Sequence, residues 1–160
     1  MIVAIDATSL SSAGGRRVGS GVVSALPSVA SSSDQFLVLA PKNAGYASLG
    51  SECVDIRFLP EELQAGWRRL QKERWMKDQL EDVGVDVAFA MGNISLPTSI
   101  PQLLLIHWPY LVYPDSEVWK RMSWAGWIRR AVRFLLIRHR LPYATKITVQ
   151  TDNMSSRLRN

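Results

Sequence analysis

Short apolar runs alternate with longer polar or amphipathic stretches along the 160 residues. Residues 2–5, 36–40 and 85–90 are apolar runs of strand length. Pro41 stops the second of them. Residues 54–59 alternate with period two and meet Pro60, which predicts a strand with one wet face. Residues 102–106 are almost wholly apolar, as expected of a strand covered on both faces, and residues 146–150 supply a sixth run. Helix-length segments separate these strands, so the pattern predicts right-handed βαβ units and a mainly parallel open sheet with helices on both faces. Residues 1–160 are expected to form a single Rossmann-like α/β domain.

The helical segments are less uniform. Residues 18–33 make a weak helix, interrupted by Pro27 and ended by Ser31-Ser32-Ser33. Residues 61–83 make a stronger one, with Glu61 and Glu62 suited to the positive end of its dipole. Leu63, Trp67 and Leu70 lie on one stripe of it, and Trp75, Met76, Leu80 and Val83 on another, which predicts a bend near residues 71–74. A third helix is expected over residues 116–141, capped by Asp115 or Ser116, with Pro142 just beyond it. Thr151 reads as one more N-cap, with Asp152 in the first turn of a helix over residues 152–159. The sequence stops about two turns into that helix, so it is either a closing helix or part of a larger protein.

Composition excludes several classes. With 47% hydrophobic and 21% charged residues the chain can support a core, unlike a disordered tail. Cys53 is the single cysteine, which excludes an internal disulfide framework and fits a reducing cytoplasm. The N-terminus lacks the basic and apolar regions of a signal peptide, and the longest apolar stretch, residues 103–113, is too short to cross a bilayer. The net charge of +5 hides an asymmetry. Residues 1–115 carry 9 basic and 12 acidic side chains, whereas residues 116–160 carry 10 basic and 2 acidic.

Four places carry candidate chemistry. Gly14 and Gly15, with Arg16 and Arg17, follow the first strand and precede a helix, where backbone N–H groups and cations suit an anion. The spacing fits neither a dinucleotide fingerprint nor a P-loop, which disfavours a nicotinamide-dependent oxidoreductase, and a plain Gly/Ser loop remains open. Gly92 and Asn93 end the fourth strand, where open parallel sheets bind ligands, although Gly-Asn is also ordinary turn chemistry. His107 ends the fifth strand beside Trp108. Aromatic faces stack on sugar rings and imidazole bonds hydroxyls, while a His satisfied by a backbone carbonyl is the plain alternative. No metal-ligand spacing and no nucleophile elbow is visible.

The fourth is the basic segment 116–141. On a helical wheel Ile128, Ala131, Val132 and Leu135 share one face, and Arg129, Arg130, Arg133 and Arg140 gather on another. Trp119, Trp124, Trp127 and Phe134 flank it. Basic charge with interfacial aromatics reads as contact with an anionic membrane surface, and a core helix with a solvated basic face reads equally well. Nucleic acid is not expected, because no recognition motif accompanies the charge.

Residues 1–7, Gly14-Gly15, residues 86–93, residues 101–107 and residues 147–151, in this order, resemble the N-terminal domain of retaining nucleotide-sugar glycosyltransferases of the two-domain GT-B kind (group 1, or family 4). The resemblance spans essentially the whole chain, each motif being short. It implies two Rossmann-like domains facing across a cleft. The N-terminal one binds the acceptor, and the C-terminal one binds the nucleotide sugar through basic residues and paired glutamates. It places Gly14, Gly15 and Arg16 near the donor phosphates, His107 at the transferred sugar as the catalytic candidate, and Gly92, Asn93 and Trp108 on the acceptor side. Transfer of a hexosyl unit to a glycan or lipid-linked acceptor would retain anomeric configuration, with no cofactor or metal. Arg16-Arg17 departs from the small or apolar residues of many relatives. No second Rossmann domain lies within these residues, so the 160 residues alone are expected to be inactive, with a donor domain or subunit as the partner. Arg129, Arg130 and Arg133 are the expected membrane or anion contacts, at the cytoplasmic face. The second reading is a non-catalytic Rossmann-like module that docks a partner protein.

Overall fold

The computed structural model describes residues 1–108, 113, 117 and 121–159. Among them six strands form one open, all-parallel sheet: β1 (Ile2–Asp6), β2 (Gln35–Pro41), β3 (Val54–Leu59), β4 (Val87–Ala90), β5 (Gln102–Ile106) and β6 (Lys146–Val149). Their order is β3-β2-β1-β4-β5-β6. The described helices are α1 (Ala13–Val29), α2 (Arg69–Val83), α3 (Trp124–Arg140) and α4 (Asp152–Arg159). The fold is α/β and Rossmann-like, and each strand lies where an apolar run ends at a proline, a turn or a loop.

The period-two alternation of β1 shows why helices cover both faces. Ile5 packs with Val23 and Leu26 of α1, whereas its neighbour Ala4 packs with Met76 and Leu80 of α2. The chain builds outward from β1 to β3 and then returns to the other side of β1 for β4. Right-handed crossovers therefore place α1 and α2 on opposite faces. The last β1–β4 pair is Asp6 opposite Ala90, so the carboxyl ends of these two strands lie side by side where the order reverses.

Three of the four described helices correct a boundary or a face. α1 begins at Ala13, not at residue 18, so Gly14-Gly15 form its first turn rather than a preceding loop. Pro27 falls in the last turn, where one missing N–H costs a single bond before the helix ends at Val29. The predicted helix 61–83 is broken earlier than residues 71–74: 3-10 turns cover Glu61–Leu63 and Gly66–Arg68, and α2 starts at Arg69. Trp67 and Leu70, placed on an apolar stripe by the sequence, are exposed. The buried residues of α2 are Glu73, Met76 and Leu80. α2 ends on Gly84 (φ +70°), whose N–H donates to the Leu80 and Glu81 carbonyls, a left-handed cap that glycine adopts without a Cβ penalty. α4 matches its prediction, with Thr151 Oγ1 accepting from the Met154 N–H at 3.2 Å.

The third helix departs most. It starts at Trp124, with Ser123 Oγ accepting from the Gly126 N–H at 3.3 Å; the expected caps Asp115 and Ser116, and Trp119, lie outside the described residues. Its apolar face does not meet the core. Trp124, Trp127, Val132 and Leu135 are exposed, and Ile137 is its one buried residue. The opposite side faces the protein, because Arg140 is drawn inward by Glu73 and Ser95 Oγ donates to the Arg140 carbonyl at 2.5 Å. Among the described residues no helix is long and apolar enough to cross a membrane.

One tight approach in the α1 face predicts a measurable cost. A Cβ on Gly19 would collide with the Tyr46 hydroxyl and stand 2.9 Å from Leu10 Cδ1. Tyr46 is fully buried, its hydroxyl has no hydrogen-bond partner, and burial raises its pKa. Gly19→Ala is expected to lower stability by about 2 kcal/mol, as overpacking does. Tyr46→Phe removes an unsatisfied polar atom and is expected to be neutral or stabilising. Combined, the two are expected to cost less than Gly19→Ala alone, as read from urea melts.

Candidate functional site

The carboxyl edge of the sheet opens into a crevice of about 610 Å³. Thr8 and Ser9 after β1, Pro41 of β2, Leu59 of β3, Gly92-Asn93-Ile94 after β4 and Trp108 after β5 contribute to it, so five strand ends converge there. Arg69 and Lys72 reach it from α2, and Arg133 and Leu136 from α3. A crevice outside the carboxyl ends at the reversal of strand order is where doubly wound sheets bind ligands.

Asn93 is the organising residue. Its Oδ1 accepts from the backbone N–H groups of His107 (2.8 Å) and Trp108 (2.9 Å). With Oδ1 so engaged, its Nδ2 lies 3.1 Å from His107 Nε2 and donates to it. The imidazole is therefore neutral, with its proton on Nδ1. Burial also lowers the His107 pKa below its ordinary 6.5. Asn93 has φ +64°, a left-handed conformation that asparagine tolerates better than most residues. A Cβ on neighbouring Gly92 would strike Ser9 Oγ, so a glycine keeps the β1 and β4 tips close.

His107 also lines a second, smaller cleft of about 230 Å³ with Gly14, Gly15, Val18, Met91 and Gln150. Gly14 and Gly15 thus sit with His107, while Gly92, Asn93 and Trp108 line the larger crevice, and the Asn93–His107 bond joins the two. The first intrahelical bond of α1 is Arg16 N–H to the Ser12 carbonyl, so the N–H groups of residues 13–15 have no partner within the helix. Arg16 is exposed and lines neither cleft. Of the basic residues predicted to act together, Arg133 lines the crevice with its guanidinium 5.9 Å from the Trp108 ring centre. Arg129 is exposed and Arg130 is half-buried, both outside the crevice lining. Arg140, grouped with them by the helical wheel, has left that surface.

Arg140 belongs instead to a buried ion cluster behind the crevice. Its Nη2 donates to Glu73 Oε2 at 2.6 Å, with both side chains nearly buried. Arg69 Nε lies 2.8 Å from Glu73 Oε1, but its N–H does not point along that line, and both atoms are buried without a hydrogen bond. Lys72 is half-buried beside them and lines both the crevice and a small extension of it that holds Asp6 and Glu73. Desolvation lowers the Lys72 pKa, partly opposed by the nearby Asp6 carboxylate. Asp6 itself is occupied: its Oδ1 accepts from the Thr8 N–H at 2.9 Å and from Thr8 Oγ1.

The sequence reading missed Arg69, Lys72 and Glu73. The signal was present: they precede Met76 and Leu80 by helical spacing, so the buried stripe of α2 turns polar as it approaches the carboxyl edge of the sheet. Comparison with protein-family models, curated proteins and solved structures finds no match to this chain.

Proposed function

We propose that this chain is the acceptor-binding half of a nucleotide-sugar-dependent glycosyltransferase, transferring a hexosyl unit with retention to a glycan or lipid-linked acceptor. The observation that carries the reading is the Asn93 clamp, which holds a neutral His107 and Trp108 at the rim shared by two clefts. On one side, Trp108 offers a ring face and Thr8 and Ser9 offer hydroxyls to an acceptor. On the other, the unpartnered amides of residues 13–15 suit the diphosphate of a donor, whose departure is the main electrostatic demand of such a transfer. His107, with Nδ1–H free to donate, would bond a sugar hydroxyl between them. A donor-binding domain, in the same polypeptide or in a partner, completes the enzyme, and neither a metal nor a redox cofactor enters the proposal.

The test is sugar transfer from a panel of nucleotide hexoses by the protein together with its donor half. His107→Ala is expected to lose at least tenfold in kcat with the fold intact, and unchanged turnover in that variant would remove His107 from the mechanism.

The outward face of α3 supports a place at an anionic membrane surface on the cytoplasmic side. Trp124, Trp127 and Leu135 project into solvent, and Arg129 and Arg138 are exposed on the same helix. This is the arrangement of a helix lying in a lipid interface. Flotation with liposomes is expected to recover the protein with anionic vesicles and to lose it when Trp124 and Trp127 are both changed to Ser. Equal recovery with neutral lipid contradicts it. The second reading, a non-catalytic docking module, rests on this same face and predicts a protein partner with no sugar transfer.

A further inference from the structure

The acceptor-side crevice carries more positive charge than its own fold consumes. Arg69, Lys72 and Arg133 line it and Arg140 lies just behind, against the two carboxylates of Asp6 and Glu73. Glu73 is shared by Arg69 and Arg140, and Asp6 accepts from Thr8. Lys72 makes no hydrogen bond and no ion pair among the described residues, although it is half-buried in the crevice wall. Arg133 makes no ion pair either; its guanidinium stands beside the Trp108 ring. Thr8 and Ser9 add hydroxyls on the facing wall. A desolvated ammonium that has only the distant pull of Asp6 and Glu73, and no hydrogen bond, is costly to keep unless a further opposite charge visits it. Charge-assisted bonds from ammonium and guanidinium groups are the usual means of holding a phosphate.

We infer that the ligand of this crevice carries a phosphate group, seated between Lys72 on α2 and Arg133 on α3, so that the acceptor is a phosphorylated molecule rather than a neutral sugar. The identification of this ligand as the acceptor rests on the proposed function above; the oxyanion site itself does not. The phosphate spans the crevice from one sheet face to the strand tips and orients the attached group toward Trp108 and His107. Phosphate held on Lys72 also favours its charged form, opposing the desolvation that lowers its pKa.

Calorimetric titration at low ionic strength, with inorganic phosphate, a hexose and the same hexose 6-phosphate, tests the inference. The hexose phosphate is expected to bind at least tenfold more tightly than either the hexose or inorganic phosphate. Lys72→Gln and Arg133→Gln are each expected to weaken it about tenfold with unchanged amide spectra, and Arg16→Gln, at the start of α1, to leave it unchanged. Equal binding of hexose and hexose phosphate overturns the inference, as does binding lost with Arg16 rather than with Lys72 and Arg133. Inorganic phosphate binding as tightly as the hexose phosphate overturns the acceptor assignment. Binding that follows Lys72, with no transfer from any nucleotide hexose, supports the oxyanion site while removing the glycosyltransferase reading. Transfer whose KM ignores Lys72 does the reverse.

Discussion

Arg140→Ala is expected to lower stability by about 3 kcal/mol, because it leaves Glu73 charged and buried. The Glu73 side chain is only 8% exposed, and its Oε2 bond to Arg140 Nη2 at 2.6 Å is its one hydrogen bond to a cation. Arg69 is close enough to attract it, but its buried Nε–H is not aimed at it, so it replaces Arg140 only in part. The complementary change has the opposite character. A half-satisfied buried ion cluster contributes little net stability over an apolar one, since the desolvation of each charge nearly cancels their attraction. Arg140→Met combined with Glu73→Leu is therefore expected to recover most of the loss, with Arg69 turning toward water. Denaturant melts of the two single variants and the double variant close the cycle. A single-variant loss below about 1 kcal/mol, or simple additivity, would show that the cluster does not tie α3 to α2. The inward turn of the basic side of α3 would then need another cause.

Asn93→Ala is expected to cost about 3 kcal/mol and to disorder the clamp. It removes the acceptor for the His107 and Trp108 backbone N–H groups and forces alanine into a left-handed φ. Asn93→Gly accepts that φ and loses only the hydrogen bonds, so it is expected to be about 1 kcal/mol better than the alanine variant. Asn93→Asp changes the sign of a titration. In the native protein the His107 pKa is lowered by burial, so well above pH 6.5 the ring is neutral in folded and unfolded chains alike. Below that, the unfolded chain takes up the proton first, and stability falls as the pH drops. An aspartate keeps the bonds to both backbone N–H groups but sets a carboxylate against Nε2, which favours the imidazolium and raises its pKa. The pair then contributes stability below pH 6.5 that is lost as the pH rises through the folded pKa. Melts of both proteins at pH 5.5 and pH 8 read the reversal directly. Parallel pH profiles would mean that residue 93 does not face the ring.

Four of the strands were legible because each is a short apolar run that soon meets Pro41, Pro60, Gly92 or Pro109, and because alternation in residues 54–59 needs no tertiary information. The α1 start was not, since Gly14-Gly15 have poor helix propensity and look like loop. Leu10, buried in the core on the α1 side, packs beside Gly15 and Gly19 of that helix, a fit that the local sequence does not show. The orientation of α3 was also hidden. A helical wheel shows that Val132 and Arg140 lie on different sides, but not which side faces the protein. The apolar side loses here because Arg140 finds a buried carboxylate on α2, sixty-seven residues earlier in the chain. The Gly92-Asn93 turn and His107 were found at the right strand ends. Their direct contact depends on the β4–β5 register, which sets Ala90 beside Leu104. The cations of α2 went unread because the apolar stripes of residues 61–83 drew attention to Trp67, Leu70, Met76 and Leu80, and nothing in the sequence shows that Glu73 is buried.

The most direct measurement is an amide chemical-shift map of the chain titrated with a panel of sugars and hexose phosphates. If the strand tips form an acceptor site, the shifts will cluster at residues 6–9, 69–73, 92–94 and 107–108, and Asn93→Gly will abolish them. Shifts confined to the exposed face of α3, or to the amino-terminal edge of the sheet, would contradict it.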